Sequence, residues 1–297
     1  MNKRIYILFM VSMLTSSMFG QFIGKDDLSV SLFYLQQSEL DSAKKYIDLA
    51  VFDEELASEA KTWYYRGYIY KDLYKEKERQ NSLSPLRLIS VAAFEKMFTL
   101  NGKDAFLVNA SKILIYEAST LYNDAIGMLD PEKYKLAESN FELYKKVMVL
   151  ADTTAELGLA DVKFKLALAS MLNGAGEDDV QLDSLQIVQI KGLYLAVLEV
   201  DSNNASANYN LAILYYNQGA DIINEMDYDL DLIEFSRIQD LCIDLFLDGL
   251  PYMKKSYDLL YKRKETLVGL SNIYYGLNDM EKSELYKNEL LSLESED

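Results

Sequence analysis

From residue 26 onward, apolar residues recur every three or four positions, the period of amphipathic helices. Residues 26–37 place Leu28, Leu32 and Leu35 on one face, with Tyr34 beside them. A short polar turn, Ser38-Glu39-Leu40-Asp41, leads into a second helix over 41–51 with Ala43, Ile47 and Ala50 inward. The next helix is predicted over 60–74, followed by a charged connection at 75–84. Ser84-Pro85 then reads as an N-cap and first helical residue. The helix it opens buries Ile89, Ala93, Phe94, Met97 and Phe98. Further helices are predicted over 104–128, from Asp130-Pro131-Glu132 onward, and over 153–172, 183–200, 208–217, 251–261, 266–277 and 281–293. Gly174 and Gly219 read as helix stops. Pro85, Pro131 and Pro251 all fall at or near predicted helix starts, so the expected fold class is all-α.

Two of these helices share a spelling: Trp63-x-x-Arg66-Gly67-x-x-Tyr70 and Leu267-x-x-Leu270-Ser271-x-x-Tyr274. Asn208-x-x-Leu211-Ala212-x-x-Tyr215 keeps the small residue and the tyrosine. A small residue between bulky neighbours on one helical face asks for a second helix very close by. Candidate second helices carry Ala43-Ile47-Ala50, Ser90-Phe94-Met97 and Ala137-Phe141-Tyr144.

These residues resemble the tetratricopeptide repeat family, whose first helix is spelled W-x-x-L-G-x-x-Y and whose second helix carries spaced Ala and Phe. The resemblance implies a right-handed α-solenoid of about six degenerate helix pairs across residues 21–297. Insertions after Tyr74, Tyr122, Gly174 and Gly219 lengthen most units beyond the family's ~34-residue period. An irregular all-helical domain is the alternative.

Residues 1–20 carry Lys3-Arg4, an apolar run from Ile5 to Leu14, and a small-residue end. That order describes a secretory signal peptide, cleaved after Gly20 or after Ser17. A retained N-terminal anchor is the alternative. The expectation is an exported protein, periplasmic or secreted, with no integral membrane segment after signal removal.

Composition narrows the chemistry. The formal charge is −17, which opposes nucleic-acid backbones, so no nucleic-acid partner is expected. There is no histidine, which removes Ser-His-Asp and Cys-His nucleophile pairs and His-bearing zinc sites. The single cysteine, Cys242, sits among Leu241, Ile243 and Leu245 and reads as a buried thiol. Asp227-x-Asp229-x-Asp231 starts like a calcium loop but has Leu232 where glycine is needed and Ile238 at its closing position. Glu177-Asp178-Asp179 reads as an acidic, solvated loop. No cofactor and no metal are expected, and the chain reads as a binding protein rather than an enzyme. A hydrolase using two carboxylates stays open as a third reading.

The 23 tyrosines supply candidate binding residues. In the implied register, Trp63, Gly67, Tyr70, Ala212, Tyr215, Ser271 and Tyr274 are scaffold positions. Residues beside them face the inner surface: Tyr64, Tyr68, Lys71, Tyr122, Tyr209, Tyr216, Asn272 and Tyr275. Tyrosine combines large contact area with a polar tip, which suits recognition. The expected function is to hold a protein or peptide of the cell envelope on that aromatic face. Binding of a carbohydrate or other small ligand is the alternative.

Overall fold

The structure is a computed structural model, described over residues 26–79, 81–100, 105–174, 182–227 and 229–296. The segment 1–20 and the acidic loop at 177–179 lie outside the described residues. The described residues are all-helical, in consecutively packed pairs. Contacts group the chain into two compact units, Met1–Gly127 with Lys135–Ala155, and Met128–Tyr134 with Glu156–Asp297.

The first unit contains α1 (Asp27–Gln36), α2 (Leu40–Ala50), the single turn α3 (Glu54–Ala57), α4 (Ala60–Leu73), α5 (Pro85–Thr99), α6 (Ala105–Gly127) and α7 (Tyr134–Ala151). The second contains α8 (Gly158–Gly174), α9 (Ser184–Val200), α10 (Ala205–Glu225), α11 (Leu232–Asp258), α12 (Arg263–Gly276) and α13 (Met280–Glu296). Side-chain caps fix many of the starts. Asp26, Asp53, Ser84, Asp183, Asn204 and Asp231 each accept a hydrogen bond from a first-turn amide. Asp183 forms a full capping box with Gln186.

Several boundaries differ from the sequence expectation. The connection after α4 begins with a π-helical turn, Tyr74–Glu78, so α4 widens rather than stops. After Asp130-Pro131 the chain makes a turn before α7 begins at Tyr134. The helix expected from residue 153 starts at Gly158. Gly219 does not end its helix; α10 continues to Glu225. Pro251 lies inside the 27-residue α11, not at a helix start. Asp231 acts as the α11 N-cap, with Oδ1 accepting from Ile233 and Glu234 at 2.9 Å.

Two packing designs occur once in each unit. In the first, a glycine of the leading helix receives an aromatic ring from the following one. A Cβ at Gly67 would lie 2.8 Å from the Phe94 ring, and Ser90 Oγ donates to the Gly67 carbonyl at 2.8 Å. A Cβ at Gly219 would lie 2.7 Å from the Phe246 ring, and Cys242 Sγ donates to the Gly219 carbonyl at 3.6 Å. The counterpart of Gly67 in this geometry is therefore Gly219. Ala212 has its own close contact, since a Cβ at Gly249 would lie 3.3 Å from the Ala212 carbonyl oxygen.

The second design is a helical hairpin. Ser31 Oγ donates to Ala43 O at 2.8 Å in α1–α2, and Ser271 Oγ donates to Ser283 O at 3.0 Å in α12–α13. Tyr34 stacks on Tyr46 at 5.5 Å, and Tyr274 on Tyr286 at 5.7 Å, both at 8°. Each hairpin turns through a left-handed residue, Ser38 or Asn278, and closes with an amide donated to the tyrosine's carbonyl.

Within the first unit, Leu28, Ala43, Ile47, Ile69 and Leu73 form one core. Tyr64, Phe94, Met97, Leu114 and Val147 form another. In the second unit Phe246, Met253, Leu270, Ile273 and Tyr274 pack around Ala212 and Cys242.

Candidate functional site

The helical period puts Tyr64, Tyr68, Lys71 and Lys75 along one side of α4 and its π-helical extension. The end of α1 and the start of α2 bring Leu35 and Leu40 to that side, and the start of α6 brings Phe106 and Asn109. Between them lies a groove of about 830 Å³, whose walls also include Tyr65, Asp72 and Glu76. It is within the size range of small-molecule and short-peptide sites.

The aromatic wall is ordered by ring contacts. Tyr64 meets Phe106 at 4.8 Å, Tyr65 edge-on at 5.2 Å and Tyr68 at 6.3 Å. Tyr65 meets Phe106 at 5.9 Å. Tyr64 is only 8% exposed and also leans edge-on against Phe94, so it is the fixed back of the groove. Burial, then the neighbouring Tyr65 and Tyr68, raises its phenol pKa and keeps it neutral. Tyr65 and Tyr68 are half-buried and offer surface to a ligand.

The Lys71 ammonium sits 4.0 Å above the Tyr68 ring centroid and 2.8 Å from an Asp72 oxygen. Its charge is thus met locally, and its effect is to hold the Tyr68 ring in place. Glu76 and Lys75 place both signs of charge at the rim.

The groove gathers Tyr64 and Tyr68, with Lys71 against Tyr68. Tyr122 is elsewhere in the first unit, packed on Tyr144 at 5.2 Å and Phe141 at 6.2 Å. The other four candidates belong to the second unit. Tyr209 packs edge-on against Tyr261 under the Lys262 ammonium, and Tyr216 stacks on Phe246. Asn272 is exposed, and Tyr275 is 66% exposed.

Tyr65, Phe106, Leu35 and Leu40 are groove residues that sequence reasoning missed. Tyr65 lies one residue off the stripe, and the others come from different helices.

The positions read as scaffold all make packing or hydrogen-bond contacts. Trp63 Nε1 donates to Ala57 O at 2.8 Å. Tyr70 Oη donates to the Asp48 carboxylate, with both oxygens within 2.9 Å. Tyr215 stacks on Tyr252 beneath the Lys191 ammonium.

The groove offers ring faces, phenol hydroxyls and a mixed-charge rim. Cys242 is buried, and burial raises its thiol pKa, away from thiolate reactivity. Among the described residues, no cluster of three or more acids or cysteines could hold a metal ion, and no helix is long and apolar enough to cross a membrane. No family model matches the chain, and no curated protein sequence matches it.

Proposed function

We propose that this protein is a non-catalytic binding scaffold that holds a protein or peptide segment in the aromatic groove between α1, α4 and α6. The observation that carries the reading is the ring cluster of Tyr64, Tyr65, Tyr68 and Phe106 lining a groove of about 830 Å³. Rigid aromatic side chains give large contact area at low ordering cost, and a peptide backbone can hydrogen-bond to the phenols. In this reading the two repeated packing designs are degenerate tetratricopeptide-like units, stacked as a right-handed solenoid. The charged N-terminal start and apolar run support an exported, cell-envelope setting.

Selection of peptides from a random display library against the full chain tests the proposal. Enriched peptides are expected to bind the wild type and to lose about tenfold or more in affinity with Tyr68→Ser, the size of one aromatic anchor. No enrichment, or equal binding by the variant, would sink it. Tyrosine faces also suit sugar rings, so a glycan array is the second arm. A glycan that binds the wild type and is lost in Tyr68→Ser replaces the peptide by a carbohydrate.

A further inference from the structure

The back of the aromatic groove carries an unused donor. Tyr64 lines the groove and is 8% exposed, yet its hydroxyl has no hydrogen-bond partner among the described residues. The hydroxyl is not sealed inside the core, since it keeps some open surface. Burial raises its pKa, so the proton stays in place. A phenol that is nine-tenths buried and still has its proton unused calls for an acceptor from a ligand. Tyr65 and Tyr68, half-buried on the same wall, bring two more hydroxyls, and Gln36 and Asn109 bring side-chain amides. None of these four has a hydrogen-bond partner among the described residues. A phenol oxygen shares a lone pair with its ring, so it is a better donor than acceptor.

The walls are helices and the α1–α2 turn, and no strand edge occurs among the described residues. The turn amides of Gln37, Ser38 and Glu39 are already donated to the carbonyls of Phe33, Tyr34 and Leu35. An ordinary extended peptide therefore finds no backbone ladder here, and its N–H groups would be buried unpaired against ring faces. A helical peptide satisfies its own backbone, but its carbonyls run along its axis and leave the Tyr64 hydroxyl unmet. A ligand cation is not what the rings lack, because the Lys71 ammonium already sits on Tyr68. A polyproline II segment meets each condition. Proline has no N–H to leave unpaired, its ring packs on aromatic faces, and the carbonyls of this helix point outward to meet donors. The three prolines of this chain, Pro85, Pro131 and Pro251, stand far apart, so such a segment belongs to another protein and not to a second copy.

We infer that the occupant of this groove is a proline-rich segment of a partner protein in the polyproline II conformation, which rests on the groove being the binding site proposed above. The proline rings seat against Tyr65, Tyr68 and Phe106, and a carbonyl of the segment accepts from Tyr64 Oη.

Fluorescence anisotropy of the full chain with a labelled proline decamer is the test, beside a decamer that carries alanine at every second position. The proline decamer is expected to bind, and the alanine-substituted one to bind about tenfold more weakly or worse. Tyr64→Phe removes only the hydroxyl and should weaken the proline decamer about fivefold, the value of one hydrogen bond. Tyr68→Ser changes the half-buried wall and should weaken it about tenfold or more, which keeps the test decisive if Tyr64→Phe fails to fold. No binding of the proline decamer, equal binding of the two decamers, or wild-type affinity in either folded variant overturns the inference. A glycan that takes the groove in place of the decamer overturns it as well. If display-selected peptides without proline are the ones lost in Tyr68→Ser, the inference falls and the groove stands. If no peptide is lost in Tyr68→Ser, both fall.

Discussion

The Phe94 ring occupies the space that any side chain at Gly67 would need, with three ring carbons within 2.9 Å of a Cβ built there. Both residues are fully enclosed, and Ser90 ties the same two helices together. Gly67→Ala must therefore move the ring or part α4 from α5. Urea unfolding should show a loss of about 1–3 kcal/mol. Gly192 is the contrast: it is also mid-helix, but nothing lies within 4 Å of its Cβ position. Gly192→Ala should stabilise by about 0.5–1 kcal/mol, the helix preference alone. Equal effects at the two sites would show that the close approach does not matter.

Phe246 is held between two glycines, Gly219 on one side and Gly276 on the other, each with a Cβ position within 2.7 Å of the ring. Gly276→Ala is expected to cost about 1–3 kcal/mol. The cost should shrink in a Phe246→Leu background, because the smaller side chain vacates the contested space. A double-mutant cycle should return a coupling of about 0.5–3 kcal/mol, the range for residues in contact. Strict additivity would remove Phe246 as the cause.

Asp48 gathers Lys44, Arg66 and the Tyr70 hydroxyl on one carboxylate. Burial alone would raise its pKa, but the hydrogen bonds from Lys44 and Tyr70 and the charges of Lys44 and Arg66 outweigh it, leaving the pKa below the ordinary aspartate value. A carboxyl lowered on folding contributes stability above its unfolded pKa and loses it as pH falls through the folded one. Tyr70→Phe should cost about 1 kcal/mol near neutrality, and less once Asp48 is protonated. Denaturant midpoints along the acid limb check this. A cost that stays constant with pH would separate the hydroxyl from the titration of Asp48.

Arg87→Met should behave in the opposite sense. Burial is the main cause that raises the Glu117 pKa, and the charge of Arg87, whose Nε lies 3.2 Å from Glu117 Oε2, holds it back together with the charges of Lys75 and Lys71 and the direct Arg87 contact. Folding thus favours the protonated acid. That contribution is complete below the ordinary glutamate value and is lost as pH rises through the folded pKa. Without Arg87 the loss should be larger and steeper. The variant should be destabilised by about 3–5 kcal/mol near pH 7 and recover part of that near pH 5. A flat profile between those values would remove Glu117 from the account.

Much of the helical order was legible because apolar period and caps agree. Ser84-Pro85 and Asp183 act where their chemistry says they should. The register of the close contacts was not legible. Asn208-x-x-Leu211-Ala212-x-x-Tyr215 copies the Gly67 spelling, yet the ring that defines the contact comes from α11 and selects Gly219, about two turns after Ala212. Local spelling cannot see which partner side chain arrives. Pro251 misled for a similar reason. A proline usually marks a helix start, but packing on α10 and α12 carries α11 through it. Tyr64 and Tyr68 were legible as one face of one helix. Tyr65 and Phe106 sit in a groove that depends on several helices meeting, for which a single chain pattern has no signal.

Pro251 interrupts the hydrogen bonds of α11 without dividing its core. Proline has no amide, so the Leu247 carbonyl one turn earlier lacks its intrahelical donor, and Gly249 between them adds backbone freedom. The helix begins with Leu232 and Ile233 largely in solvent, whereas Cys242 and Phe246 before the proline, and Met253 and Ser256 after it, are enclosed. Amide protons of the first turns, ahead of Cys242, are therefore expected to exchange through local opening, while those from Cys242 to Ser256, on both sides of the proline, are expected to wait for the unit to unfold. One continuous rod in outline is two clocks in hydrogen exchange, with the boundary set by where burial begins, near Cys242, and not by the proline's missing proton.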